Sequence, residues 1–189
     1  MLVRKLCQQY CPERLIWKLG ECRGDGSDGQ VFDLMDDPTR VIKFSMLYRE
    51  RLSELENINE VFKCLIVTQP HVYARIYEYQ YLGTYARQWS NGLQEFALYY
   101  YIMDKLLDLT RDEREVFDHF AFCEESVPED WVAWQKGTGL EFDIDRVKSF
   151  LQAINDCPIK HNDLHDENIM KNRIGEFKLI DMDRCTLTI

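Results

Sequence analysis

The sequence predicts an α+β chain, with an antiparallel sheet and one helix over residues 1–104 and a mainly helical part over residues 105–189. Three observations predict it. Residues 15–44 alternate runs of β-formers with turns. Residues 71–82 and 94–103 are rich in aromatic and aliphatic residues on either side of an Asn91-Gly92 turn signal. Apolar residues recur at three- and four-residue spacing over 49–67, and an amphipathic pattern with acidic residues in its first turn covers 143–154.

Residues 1–16 place Leu2, Leu6, Tyr10 and Leu15 at a spacing compatible with a short helix, which Pro12 interrupts. Residues 15–31 then read as a strand, a glycine-rich turn and a second strand, in which Gly24, Gly26, Gly29 and Val31 spell G-x-G-x-x-G-x-V. Taken alone this is a weak signal, since a surface turn needs no ligand. A dinucleotide fold requires a helix directly after such glycines, whereas here Val31-Phe32-Asp33-Leu34 leads through Asp36-Asp37-Pro38-Thr39 to Arg40-Val41-Ile42-Lys43-Phe44. That order is strand, turn, strand.

The helix over 49–67 carries Leu52, Leu55, Ile58, Phe62, Leu65 and Ile66 as its apolar set, with Glu54, Glu56 and Glu60 among its acidic residues. The antiparallel pair follows and ends in Met103-Asp104-Lys105-Leu106. From 108 to 139 the composition turns acidic: Asp112-Glu113-Arg114-Glu115 form a charged helical face, and Glu124, Glu125, Glu129 and Asp130 precede Trp131 and Trp134. Two tryptophans at that spacing read as packing rather than as a binding platform.

The chemistry concentrates near the C-terminus, in Ile159-Lys160-His161-Asn162-Asp163-Leu164-His165-Asp166-Glu167-Asn168-Ile169-Met170 and in Leu179-Ile180-Asp181-Met182-Asp183. Ile169-Met170 and Leu179-Ile180 flank a polar turn at 172–175, the pattern of a β-hairpin that carries Asn168 and Asp181 at neighbouring ends. Both offer the hard oxygen ligands that Mg²⁺ prefers, and Asp163 is placed to accept a proton from an attacking hydroxyl. The same residues also read as a solvated loop, or with His161, Asp163 and His165 as metal ligands of a hydrolase.

At these positions the chain resembles the protein-kinase-like superfamily. Its H-x-D-x-x-x-x-N catalytic loop is matched by His161, Asp163 and Asn168, its metal-binding Asp by Asp181, its glycine-rich loop by Gly24, Gly26, Gly29 and Val31, and the lysine of its V-A-I-K strand by Lys43. The resemblance spans residues 15–189 and implies a two-lobed fold that binds ATP and Mg²⁺. It implies Asp163 as catalytic base, Asn168 and Asp181 as metal ligands, and Lys43 on the nucleotide phosphates. A helix Glu would hold Lys43: spacing favours Glu60, the helical wheel puts Glu54 nearer the apolar face, and Glu56 is a third choice. Residues 103–106 would bond the adenine.

The variant is informative. His165 two residues after Asp163, and the Ile-Asp-x-Asp ending, resemble aminoglycoside and choline phosphotransferases, sugar kinases and other atypical kinases. Asp25 and Asp28 depart from the pattern, because carboxylates in this loop repel phosphates. Asn162 stands where the family carries an Arg that pairs with activation-loop phosphate. With the sequence ending soon after Asp181, a reduced C-terminal lobe is expected. These features give a minimal protein serine/threonine kinase as the first expectation, a small-molecule phosphotransferase as the alternative, and a nucleotide-binding regulatory pseudokinase as a third.

Composition narrows the setting. A net charge of −10 disfavours a nucleic-acid surface, which needs clustered Lys and Arg, and favours a basic protein partner instead, though solubility alone explains acidic charge equally well. Seven cysteines, odd in number and without a C-x-x-C pair, argue against a disulfide framework or a zinc site. No long apolar run or leader is expected, so the expectation is a cytoplasmic protein without membrane contact.

Overall fold

The computed structural model describes residues 9–26, 29–89, 92–122 and 131–188. The expectations for Leu2, Leu6, Asp28, Asn91 and the acidic run from Glu124 to Asp130 lie outside the described residues. The chain divides into two units: Met1–Gln69 with Arg75–Lys105, and Pro70–Ala74 with Leu106–Ile189. The division differs from a single cut after residue 104, because residues 70–74 belong to the second unit. Among the described residues no helix is long and apolar enough to cross a membrane.

The first unit is a five-stranded antiparallel sheet of β1 (Leu19–Asp25), β2 (Gly29–Leu34), β3 (Asp37–Tyr48), β4 (Ile76–Trp89) and β5 (Gly92–Asp104), in the order β1-β2-β3-β5-β4. Directly paired residues share a face, so Gln30, Phe44 and Tyr100 form one row and Phe32, Ile42 and Ile102 the next. This face is covered by Tyr10, Cys11 and Leu15. Pro12 separates the helical residues 9–10 from α1 (Glu13–Ile16) and caps the latter, its carbonyl accepting the Leu15 N–H at 2.8 Å. Gln30 is fully buried in this apolar layer, and neither its Oε1 nor its Nε2 has a hydrogen-bond partner among the described residues. Nothing in the structure explains that.

The opposite face carries Val41, Lys43, Ser45 and Leu47 beside Met103, Tyr101, Tyr99 and Ala97. The helix α2 (Leu55–Thr68) buries Ile58, Val61, Phe62 and Leu65. Phe62 stacks on Tyr79 at 4.5 Å between ring centroids and meets Tyr101 at 4.7 Å. Burying such a ring contributes about 1.5–3 kcal/mol. Helix α2 ends where Gln69 turns left-handed (φ 44°) and donates to the Leu65 carbonyl at 3.0 Å.

The second unit contains α3 (Arg111–Phe122), α4 (Trp131–Thr138) and α5 (Ile144–Asp156), with two short antiparallel pairs. Strand β6 (Ile159–His161) pairs with β9 (Cys185–Leu187), and β7 (Ile169–Lys171) with β8 (Phe177–Leu179). Its core is a triangle of Phe117, Phe150 and Phe177, with centroids 4.9–5.9 Å apart. Two local devices set the helices. Asp143 accepts from the Asp145 and Arg146 N–H groups at the start of α5, and Thr110 and Glu113 exchange side-chain-to-backbone bonds at the start of α3. Trp134 packs against His119 and Phe142, as a core residue does. Residues 70–74 belong here because Leu179 donates to the Val72 carbonyl at 2.7 Å and accepts from Ala74 at 2.9 Å.

Candidate functional site

In the first unit Gly24 pairs with Val31 across β1 and β2, and Gly26 donates to the Gly29 carbonyl at 2.9 Å, closing the turn. Only one of the three glycines is fixed by sterics: a Cβ on Gly29 would stand 2.5 Å from the Phe44 carbonyl oxygen and 3.2 Å from Lys43 Cε. Gly24 and Gly26 have room for one. Gly29 therefore lets β2 lie against the Phe44 main chain and the end of the Lys43 side chain, and Val31 pairs directly with Lys43.

Lys43 is 9% exposed, so it is not a strand lysine turned to solvent. Its Nζ lies 5.9 Å from the Tyr101 ring centroid. An ammonium this buried costs stability unless it is matched by an anion or polar groups. Glu60 is not brought to it. Helical phase puts Glu60 opposite the buried face, where its Oε1 pairs with Lys63 at 2.7 Å and its side chain is 54% exposed. The spacing from Lys43 thus misdirected the choice. Glu54 is paired with Arg51 at 2.7 Å, and Glu56 is exposed.

In the second unit one histidine organises the loop. His161 is buried at the end of β6, with Nε2 2.7 Å from the Ile180 carbonyl oxygen and Nδ1 facing the Asp163 N–H at 3.4 Å. Nε2 therefore carries the proton and Nδ1 accepts. Burial, the largest cause, holds the imidazole below its ordinary pKa and so in this neutral form, against the opposing pull of Ile180 and Asp163. Both ring nitrogens are engaged, and His165 Nε2 lies 2.8 Å from Asn168 Nδ2. The set His161, Asp163, His165 does not converge as metal ligands; among the described residues no group of three or more His, Cys, Asp or Glu could hold a metal ion.

Asn168 is buried at the foot of the β7–β8 hairpin. Its Nδ2 donates to the Asp163 carbonyl at 2.7 Å and to His165, which leaves Oδ1 as the atom able to ligate a cation. Its main-chain carbonyl accepts from Ile180 at 2.9 Å, extending the hairpin by one rung. The next residue, Asp181, is left-handed (φ 59°, ψ 58°), a conformation costly for a residue with a Cβ and frequent at functional sites. The hairpin thus holds an amide oxygen and a carboxylate at neighbouring ends, a donor set that suits Mg²⁺. Arg114 lies 3.6 Å from Asp166, and Lys171 reaches Glu113 at 2.5 Å. Burial alone would raise the Glu113 carboxyl, but Lys171 and Thr110 hold it below its ordinary range.

Arg184, which the motif does not flag, and Asn162, which it flags only as standing in place of an Arg, are linked beside Asp163. Arg184 Nε lies 3.4 Å from Asp163 Oδ2, and Asn162 Nδ2 donates to the Arg184 carbonyl at 2.8 Å. No periodicity announces either contact, because both depend on β6 pairing with β9.

No family model and no curated protein sequence matches the chain. Among solved structures it is similar to the ROP18 kinase domain in complex with AMP-PNP and sucrose, with 12% identity and a TM-score of 0.49 over 89% of this chain and 52% of that one. It is also similar to WbdD, in a co-crystal structure with the kinase inhibitor LY294002, with 14% identity and a TM-score of 0.44 over 90% of this chain and 33% of that one. The chain therefore spans about half, or less, of the length of these structures.

Proposed function

We propose that the chain is an ATP- and Mg²⁺-dependent phosphotransferase of protein-kinase-like type, acting on a hydroxyl acceptor, most simply a protein serine or threonine. The observation that carries this reading is the wiring of Asp163: its N–H bonds His161, its carbonyl bonds Asn168, and its carboxylate, with Oδ2 beside Arg184, is left outside that wiring. A solvated loop needs no such fixing. Mg²⁺, when bound by Asn168 Oδ1 and the Asp181 carboxylate, would neutralise charge on the phosphate oxygens. Lys43 and the turn closed by Gly26 and Gly29 would hold the nucleotide phosphates in the first unit. Asp163 accepts the proton as the acceptor oxygen bonds to the γ-phosphorus; the bond from that phosphorus to the β–γ bridging oxygen breaks, and ADP leaves with its electron pair.

A small-molecule hydroxyl is the second reading, favoured by His165 two residues after Asp163, whose ring is bonded to Asn168. The test is incubation of pure protein with γ-labelled ATP, Mg²⁺, and separate protein and small-alcohol mixtures. Label on protein hydroxyls supports the first reading and label on a small alcohol the second. Nucleotide binding with no label on any acceptor would replace both with a regulatory nucleotide-binding role.

A further inference from the structure

We propose that Asn162 is a positioning residue: through the main chain of Arg184 it seats the Arg184 guanidinium on Asp163 and so orients the carboxylate that takes the acceptor's proton. The catalytic part of this inference rests on the phosphotransferase reading; the contact itself does not.

The β6–β9 ladder pairs Ile159 with Leu187, Lys160 with Thr186 and His161 with Cys185. The rung after His161 would join Asn162 to Arg184, and the backbone does not make it. The side chain of Asn162 fills that place, donating from Nδ2 to the Arg184 carbonyl at 2.8 Å and to Thr186 Oγ1 at 3.1 Å. A residue without an amide there would leave the Arg184 main chain to its three-residue helical turn alone.

What this anchoring does follows from the freedom left to Asp163. Its main chain is fixed on both sides, by His161 at the N–H and by Asn168 at the carbonyl. Only the carboxylate can still rotate. Arg184 Nε lies 3.4 Å from Oδ2, and the two side chains are 49% and 43% exposed. An ion pair between two mobile, half-exposed side chains contributes little, because ordering them offsets the attraction in water. Fixing the main chain of one partner removes part of that cost. With Oδ2 on Arg184, Oδ1 is the oxygen presented to a hydroxyl.

The experiment combines kinetics with the ¹⁵N resonance of Arg184 Nε–H. Asn162→Ala should lower kcat by about threefold to tenfold, the effect of one net hydrogen bond, with KM for ATP unchanged. In the double variant Asn162→Ala/Arg184→Ala the loss should equal that of Arg184→Ala alone, since a residue acting only through Arg184 has nothing left to act on. A merely structural asparagine would give additive losses and a lowered Tm. The Arg184 Nε–H signal should shift in Asn162→Ala toward its position in Asp163→Asn. Additive losses, or an Arg184 signal unmoved by Asn162→Ala, overturn the proposal. If the wild-type chain transfers no phosphate, the phosphotransferase reading and the catalytic role fall together, and an unmoved signal then removes the tether as well.

Discussion

The side-chain amide of Asn168 donates to the main-chain carbonyl of Asp163 at 2.7 Å, so the residue read as a metal ligand also holds the residue read as the base. Asn168→Asp separates the two duties. It keeps an oxygen for a cation but sets a carboxylate against a carbonyl inside a buried site. The expected result is a loss of about 1–3 kcal/mol of stability, the cost of an unsatisfied buried polar group, and little transfer even at high Mg²⁺. Thermal unfolding with and without Mg²⁺ checks it; a variant as stable as the parent would mean the amide bond holds nothing.

Asp181→Asn is the complementary change. Asparagine tolerates the left-handed conformation that Asp181 adopts, so the fold should survive with Tm essentially unchanged. Transfer should fall by about a hundredfold or more, because the carboxylate that would anchor the cation on the reacting phosphates is removed. Full activity in the folded variant would exclude Asp181 as the anchor of the cation.

Lys43 and Glu60 should behave oppositely. Lys43→Ala should abolish the rise in Tm given by ATP, which for a ligand at a hundred times its Kd corresponds to about 2.7 kcal/mol. Glu60→Ala removes only an exposed pair with Lys63, so it should cost no more than about 0.5 kcal/mol and leave the ATP shift intact. An ATP shift lost in Glu60→Ala would return that residue to the phosphate-binding set.

Gln30 gives a test that no function enters. Its amide is buried in an apolar layer without a partner among the described residues, whereas methionine has nearly the same length and no strong polar group. Gln30→Met should stabilise the chain by about 1 kcal/mol or more. Destabilisation in chemical unfolding would mean that the amide has a partner after all, a buried water being the simplest.

The fold was legible wherever a pattern is local. Strand, turn and strand over residues 19–44 and the helical stretch over 49–67 follow from periodicity, but Leu15 and Ile16, expected to open the first strand, belong to the short helix Glu13–Ile16. The hairpin that carries Asn168 and Asp181 is written in two apolar pairs around a polar turn. The Thr110-Arg111-Asp112-Glu113 capping box was equally readable in Thr-x-x-Glu, and passed over. Distance along the chain points to Glu60, but helical phase decides which way a helical side chain points, and phase turns Glu60 to solvent. Arg184 and the amide of Asn162 could not be read at all: they meet through a pairing of residues 159–161 with 185–187, and nothing in three-residue strands specifies a partner.

The last prediction concerns pH. Burial holds His161 below the ordinary imidazole value of 6.5, so the folded chain keeps it neutral, donating to Ile180 and accepting from Asp163, after the unfolded chain has begun to take up a proton. Where the unfolded state binds more protons, stability falls with falling pH. The loss should therefore begin near pH 6.5 and continue until the folded value is passed, at no more than about 1.4 kcal/mol per pH unit. The carboxylates held low, Asp33, Glu113 and Glu176, have the same sign of effect but act only below their ordinary values of 3.8 and 4.5, so the window between about 5 and 6.5 is left to the histidine. His161→Gln keeps a donor for Ile180 and an acceptor for Asp163 and cannot titrate. Denaturant unfolding at pH 7.5, 6.5 and 5.5 should show a decline in the parent and a nearly flat line in the variant. Equal slopes in the two would mean that the proton taken up on unfolding goes elsewhere, and that the neutral His161 is not what ties Asp163 to the end of the hairpin.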